Sequence, residues 1–306
     1  MEINKRFLQF ISTVAILAFH YWYKLGNSQI ERFIVSNCYI GVDLFFICSA
    51  YSLSRKKKID YTPFIKNRFK TIYLKYVFFS FIYSFFLVSY KKSVLLNKAL
   101  RFISIISGYE LFDKGGAAFL WFIPAIMIFY LLFPLFINWN NRNKSLYVLV
   151  GYLMLAVLCQ NAGYRDIFIV INRIPLILIT YELSVRKLNM PLYGAIILGI
   201  CGIVSLYYFS YRMKLNTPFY DSYYLAAIPL CICVSYLSKY CKTYKWMEVI
   251  GAASLEIYAL QMMFGYKLML KVVKMCNIPV LVNIMVFGLI IVAGIILNKL
   301  FTKVLK

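Results

Sequence analysis

Apolar runs of bilayer length follow one another along this chain, separated by short clusters of Lys, Arg, Asn and Pro. A hydrocarbon core is crossed by about 20 mostly apolar helical residues. Segmenting at charges, Pro and Asn gives about ten such runs: residues 7–23, 35–54, 73–90, 118–138, 145–160, 167–185, 191–211, 222–238, 247–265 and 279–301. Each is predicted to be a helix, because backbone polar groups in lipid must be satisfied within their own segment. The longest connection runs from Lys91 to Ala117, where Leu95 to Gly108 is predicted to form a helix lying on the membrane. No internal repeat, low-complexity tract or separate soluble domain is evident. The expected fold is therefore an all-α integral membrane protein, a polytopic bundle of about ten transmembrane helices in a single domain over residues 1–306.

Composition agrees with this pattern and narrows it. Of 306 residues, 62% are hydrophobic, 19% aromatic and only 15% charged, with a mean hydropathy of +0.74, which no water-soluble domain matches. The net charge of +23 does not indicate nucleic acid, since the cations sit in short segments between apolar runs, where they act as topology signals and headgroup contacts. Eight cysteines include no CxxC pair, and Cys48, Cys159, Cys201, Cys231 and Cys233 fall inside apolar runs. Neither a disulfide framework nor a metal site is expected. The first run has a basic start at Lys5-Arg6 but no small-residue cleavage site, and it continues into Tyr21-Trp22-Tyr23. It reads as a retained first helix flanked by interfacial aromatics.

With the N-terminus inside, 20 of the Lys and Arg residues fall in cytoplasmic connections and 13 in outer ones, which favours both termini being cytoplasmic. Most of the bias comes from Arg55 to Lys75. Arg55-Lys56-Lys57-Lys58 reads as a stop-transfer anchor. Beyond it, Lys66, Arg68 and Lys70 alternate with Phe64, Phe69, Ile72 and Tyr73 on an amphipathic stretch. Such a surface suits either phosphates or lipid headgroups.

Polar residues inside the apolar runs are few: His20, Asp43, Arg173, Glu182, Glu256 and Gln261. An ionisable group at that depth is costly and marks a functional site by default. His20 is the only histidine in the chain, and imidazole is the side chain suited to move a proton near neutral pH. Counted from the outer ends of their helices, His20 and Asp43 lie at roughly matching depths, so Asp43 is expected to orient the imidazole. Eleven residues make three helical turns, so Gln9 shares a face with His20 about 16 Å away along the axis, and Thr13 falls on that face too. A polar stripe of this kind belongs in the bundle interior or along a wet channel. Glu256 is open to two readings, a second acidic group at the site or the partner of Arg173. Glu182 is expected to pair with Arg186, four residues on.

The segments ILAFHYW ending helix 1, GVDLFFICSAYSL at 41–53, NRFKTIYLKY in the basic stretch, LWFIPAIMIFYLLFPLF at 120–136 and ASLEIYALQ at 253–261 resemble the membrane acyltransferase-3 family in order and spacing. The resemblance implies transfer of an acyl group, usually acetyl from acetyl-CoA, to hydroxyls of surface glycans or lipid-linked sugars. It also implies a donor arriving from the cytosol and a bacterial plasma membrane. This chain differs from the family pattern at several points. Gln9 stands where relatives carry an arginine eleven positions before the histidine, with Arg6 one turn earlier on nearly the same face. Where relatives carry two arginines three apart this chain has Arg68 with Thr71, and Lys70 next to the second place; Ser49-Ala50 replaces Ser-Gly, and Gln261 stands where many relatives carry a second histidine.

Acyl transfer from a thioester to an alcohol needs a base, donors for the oxyanion and cations for the donor's phosphates. His20 is assigned as base and Asp43 as its orienting group. Arg68 and Lys70 are assigned to the CoA phosphates, and Arg6, Gln9 and Thr13 to the donor along the polar face. Ser49 and Ser254 are more commonly helix-packing serines than nucleophiles, and Cys48 in an apolar setting is inert, so direct general-base transfer is expected rather than a covalent relay. Trp121 reads as a packing or interfacial residue. The expected partners are membrane lipids, acyl-CoA and a glycan or lipid-sugar acceptor. A glycan transporter and a catalytically inactive relative are the alternative classes.

Overall fold

The computed structural model describes residues 2–22, 28–87, 95–112, 120–188, 190–213, 221–276 and 278–305, and among them every regular element is helical. In chain order the α-helices are α1 (Lys5–Tyr21), α2 (Gln29–Asn37), α3 (Ile40–Ser54), α4 (Tyr61–Arg68), α5 (Leu74–Ile82), α6 (Leu95–Ile106), α7 (Phe122–Asn138) and α8 (Lys144–Ala162). There follow α9 (Arg165–Ile171), α10 (Ile174–Val185), α11 (Leu192–Tyr207), α12 (Asp221–Leu237), α13 (Lys245–Ala252), α14 (Ser254–Leu260), α15 (Tyr266–Met275) and α16 (Pro279–Val304). Wider π-helical turns occur at Phe69–Tyr73, Tyr83–Leu87, Tyr208–Arg212 and Gln261–Gly265. Helix covers most of each predicted run within the described residues, with breaks at Cys38-Tyr39, Asn172-Arg173 and Ala253. The surface helix predicted over Leu95 to Gly108 corresponds to α6, which stops before Gly108 at φ +73°. Both ends of the Lys91 to Ala117 connection, and the end of the third predicted run, lie outside the described residues.

By length and composition, five of the described helical stretches can cross a membrane, or six if the bent pair Lys245–Ala252 and Ser254–Met275 counts as one span. That is a coarser result than the expected ten, partly because α7 and the Leu225–Tyr240 helix are apolar but short. The second span is Gln29–Ser54 rather than 35–54, since α2 precedes α3 across a turn at Cys38-Tyr39.

The chain divides into two compact units, each assembled from separated stretches. The first holds Met1–Arg55 and Pro175–Lys299. In it α1 packs against α3, α13 and α14, and α11 lies along α12. The last pair approach closely because a Cβ on Gly202 would sit 2.8 Å from the Leu230 backbone nitrogen and one on Gly199 2.6 Å from Cys233 Sγ. Asn4 ties the start of α1 to the end of α12: its backbone N–H donates to Ser238 Oγ (2.9 Å), and its Nδ2 to the Cys241 carbonyl (3.0 Å) and Thr243 Oγ1 (2.6 Å).

The second unit holds Lys56–Ile174 and Leu300–Lys306. Tyr73 and Tyr76 donate to the carbonyls of Ile106 and Ile105, capping the last turn of α6. Asn138 exchanges hydrogen bonds with the Ile59 backbone at 2.8 and 3.0 Å. Lys144 Nζ donates to the Phe136, Ile137 and Trp139 carbonyls at the end of α7. Helix α8 has no buried residue, although it is long and apolar enough to cross a membrane.

Candidate active site

Three glycines set the position of α1. A Cβ on Gly41 would lie 2.6 Å from the Ser12 carbonyl oxygen, 3.0 Å from Ile16 Cγ1 and 3.2 Å from Ala15 Cβ. Only a residue without a side chain lets the α1 and α3 backbones meet this closely. Farther along α3, Cys48 Sγ lies 4.0 Å from the Lys5 carbonyl oxygen, so the two helices run antiparallel. On another side, a Cβ on Gly251 would lie 3.1 Å from Gln9 Cβ, and one on Gly265 would lie 2.6 Å from the Tyr21 ring. The α13–α15 segment therefore runs parallel to α1.

These contacts orient the polar stripe. With Ser12 as zero and about 100° per residue, Ile16 falls near 40° and Tyr21 near 180°, while Gln9, His20, Thr13 and Arg6 fall at about 60°, 80°, 100° and 120°. The stripe thus looks into the angle between α3 and α13–α15. Thr13 Oγ1 donates to the Gln9 carbonyl (2.8 Å) and Ser12 Oγ to the Leu8 carbonyl (2.7 Å), so both hydroxyls are absorbed by α1 itself. Gln9 is half-buried, and Arg6 and His20 are exposed at opposite ends of the face. The imidazole lies edge-on to Phe19, with centroids 5.0 Å apart, and 5.9 Å from the Tyr21 ring. Among the described residues His20 makes no hydrogen bond, leaving a ring nitrogen available to take a proton.

Asp43 is placed differently from the sequence expectation. It is 2% exposed, but it lies about 160° round α3 from Gly41, away from the seam with α1. Because Gly41 abuts Ser12 to Ile16, His20 lies about 6–12 Å farther along the axis. No hydrogen bond or ion pair joins His20 to Asp43 among the described residues. The depth match assumed that the second helix begins at residue 35, whereas α2 extends that span back to Gln29 and leaves Asp43 near its middle. Ser49 is half-buried on α3 and Cys48 is buried beside Lys5.

Glu256 is 0% exposed, and both its carboxylate oxygens accept from Asn298 Nδ2 at 3.2 Å. Asn298 on α16 had no signal beyond being a polar residue near the end of an apolar run. Gln261 is 1% exposed on the π-helical turn between α14 and α15.

In the second unit, Arg68 is held by two aromatic faces, its guanidinium carbon 5.1 Å from the Phe64 centroid and 4.6 Å from that of Tyr130. Its Nε is buried without a hydrogen-bond partner among the described residues. Lys66 and Lys70 are exposed nearby in the sequence. The guanidinium of Arg173, 1% exposed, lies 5.3 Å from the Trp121 centroid and its Nη1 donates to the Ile169 carbonyl. Trp121 is thus a packing partner for a buried cation. Glu182 and Arg186 form the expected i,i+4 pair at 2.8 Å. Among the described residues no cluster of His, Cys, Asp or Glu could hold a metal ion.

An all-helical chain with several bilayer-length apolar helices and a polar face leading to a lone histidine is a multi-pass membrane protein. The family model of the acyltransferase-3 type, described as an acyltransferase domain, matches residues 6–300, so the chain belongs to this family of membrane acyltransferases. No curated protein and no solved structure matches it.

Proposed function

We propose that this acyltransferase moves an acyl group, acetyl in the first instance, from acyl-CoA to a hydroxyl of a cell-surface or lipid-linked glycan, with His20 as general base. The observation that carries the reading is the face of α1 that runs from Arg6 past Gln9 to an imidazole that makes no hydrogen bond among the described residues. In the reaction the acceptor oxygen attacks the thioester carbonyl while His20 takes its proton. The tetrahedral intermediate then collapses, the C–S bond breaks, and the imidazolium returns the proton to the departing CoA thiolate. Arg6 and Gln9 contact the donor along the stripe, and Arg68, with Lys70 two residues on, takes its phosphates. Asp43 acts at range: a carboxylate buried in the bundle favours the imidazolium by its field rather than by fixing the ring's tautomer. In this reading the Arg6 end of α1 faces the cytosol and the His20 end faces the outer side of a bacterial plasma membrane.

The test is transfer of label from acetyl-CoA to envelope glycans in membranes carrying the full chain. The expected result is that His20→Asn abolishes transfer while the protein level in the membrane is unchanged. Undiminished transfer by His20→Asn would sink the base assignment. Movement of the lipid-linked sugar without acylation would indicate a transporter instead.

A further inference from the structure

Gln261 presents a problem that the assigned roles leave unsolved. It is 1% exposed, yet among the described residues neither Oε1 nor Nε2 has a hydrogen-bond partner. A buried carboxamide lacking all its hydrogen bonds is strongly unfavourable, and native structures retain one where a ligand or water completes it. Its surroundings locate the unmet groups. Ile257, one turn before, belongs to the apolar cluster that contains Leu17 and Tyr21 of α1. Gly265, one turn after, abuts the Tyr21 ring. Residues at i−4, i and i+4 share one helix side, and Ile257 also abuts Gly294 of α16, so Gln261 lies on the side turned toward α1 and α16, between the levels of Leu17 and Tyr21. His20 lies within that interval, on the open side of α1 next to α13–α15. The backbone widens into a π-helical turn at Gln261, a distortion that is frequent at functional sites.

We infer that Gln261 is a catalytic residue whose Nε2 N–H donates to the thioester carbonyl oxygen as it becomes an oxyanion, opposite the proton transfer to His20. A donor fixed by packing on a rigid helix is preorganised, and one such donor is worth about 10²–10³ in kcat. This assignment rests on the acyl-transfer reading above.

The carboxamide has no hydrogen-bond partner to lose among the described residues, so replacing it with an apolar side chain of similar size should spare the fold while removing the donor. In membranes supplied with labelled acetyl-CoA, Gln261→Leu should lower kcat about 100-fold with KM for acetyl-CoA within about two-fold. Its thermal unfolding in detergent should occur at the wild-type temperature or above. Gln261→His, which keeps an N–H donor, should recover part of kcat. Wild-type kcat in Gln261→Leu overturns the inference. So does an activity loss matched by a fall in melting temperature that Gln261→His shares, since that outcome marks a structural glutamine. His20→Asn in the same assay separates the two claims: an inactive His20→Asn beside a fully active Gln261→Leu removes Gln261 alone, whereas an active His20→Asn removes the base on which both rest.

Discussion

Arg68 shows how much of a residue's setting is decided by neighbours far away in the sequence. Its position in a basic, aromatic-rich stretch is plain from the chain, because alternating cations and rings at an interface have a recognisable pattern. Tyr130, 62 residues on, carries no such mark; it reads as one more aromatic in an apolar run. Together with Phe64 it holds the guanidinium over two rings, which adds planar stacking to the cation–π attraction, a contribution that a lysine ammonium does not make. Tyr130→Leu should therefore raise KM for acetyl-CoA about three- to ten-fold, with kcat within two-fold, as loss of about 1 kcal/mol of cation–π support implies. Arg68→Lys should raise it further. Equal KM values for wild type and Tyr130→Leu in steady-state assays would show that the clamp does not serve donor binding.

Between elements, small residues fix the register of the site. A Cβ at position 41 meets a backbone carbonyl, which has no rotamer by which to move away. Gly41→Ala should cost about 1–3 kcal/mol, read as a lowered unfolding temperature, and should reduce transfer by tilting α1. Gly151 on α8 has nothing within 4 Å of its Cβ position, so Gly151→Ala should be neutral or should stabilise by up to about 1 kcal/mol. The helices themselves are legible from apolar run length, as the agreement of α1, α7, α8 and α16 with the predicted runs shows. The break between α2 and α3 is not, because hydrophobicity continues across Cys38-Tyr39 and a local turn leaves no trace in it. The depth of Asp43 relative to His20 differs because the helical stretch continues back to Gln29 instead of starting at residue 35. Likewise Asp43 stood out because a carboxylate in an apolar run is conspicuous, while its rotation away from α1 depends on the Gly41 seam, which no single-helix pattern contains.

At the scale of the whole molecule, membrane insertion is legible from composition, and orientation rests on the imbalance of Lys and Arg. A membrane-impermeant maleimide should label Ser28→Cys from outside intact cells and leave Asn143→Cys unlabelled until the membrane is opened; the reverse pattern would invert the proposed orientation. The grouping of the chain into two units was not legible, since it arises from contacts between Met1–Arg55 and a stretch that starts only at Pro175. That arrangement has a consequence for biosynthesis. When α1 and α3 have left the ribosome, the helix that carries Gln261 has yet to be made, and at about 5–20 residues per second it follows about 10–40 s later. Throughout that interval the polar face of α1 has one wall. The nascent chain must shelter His20 and Gln9 against translocon, water or lipid until the C-terminal third arrives, so early termination should leave an inserted but inert fragment.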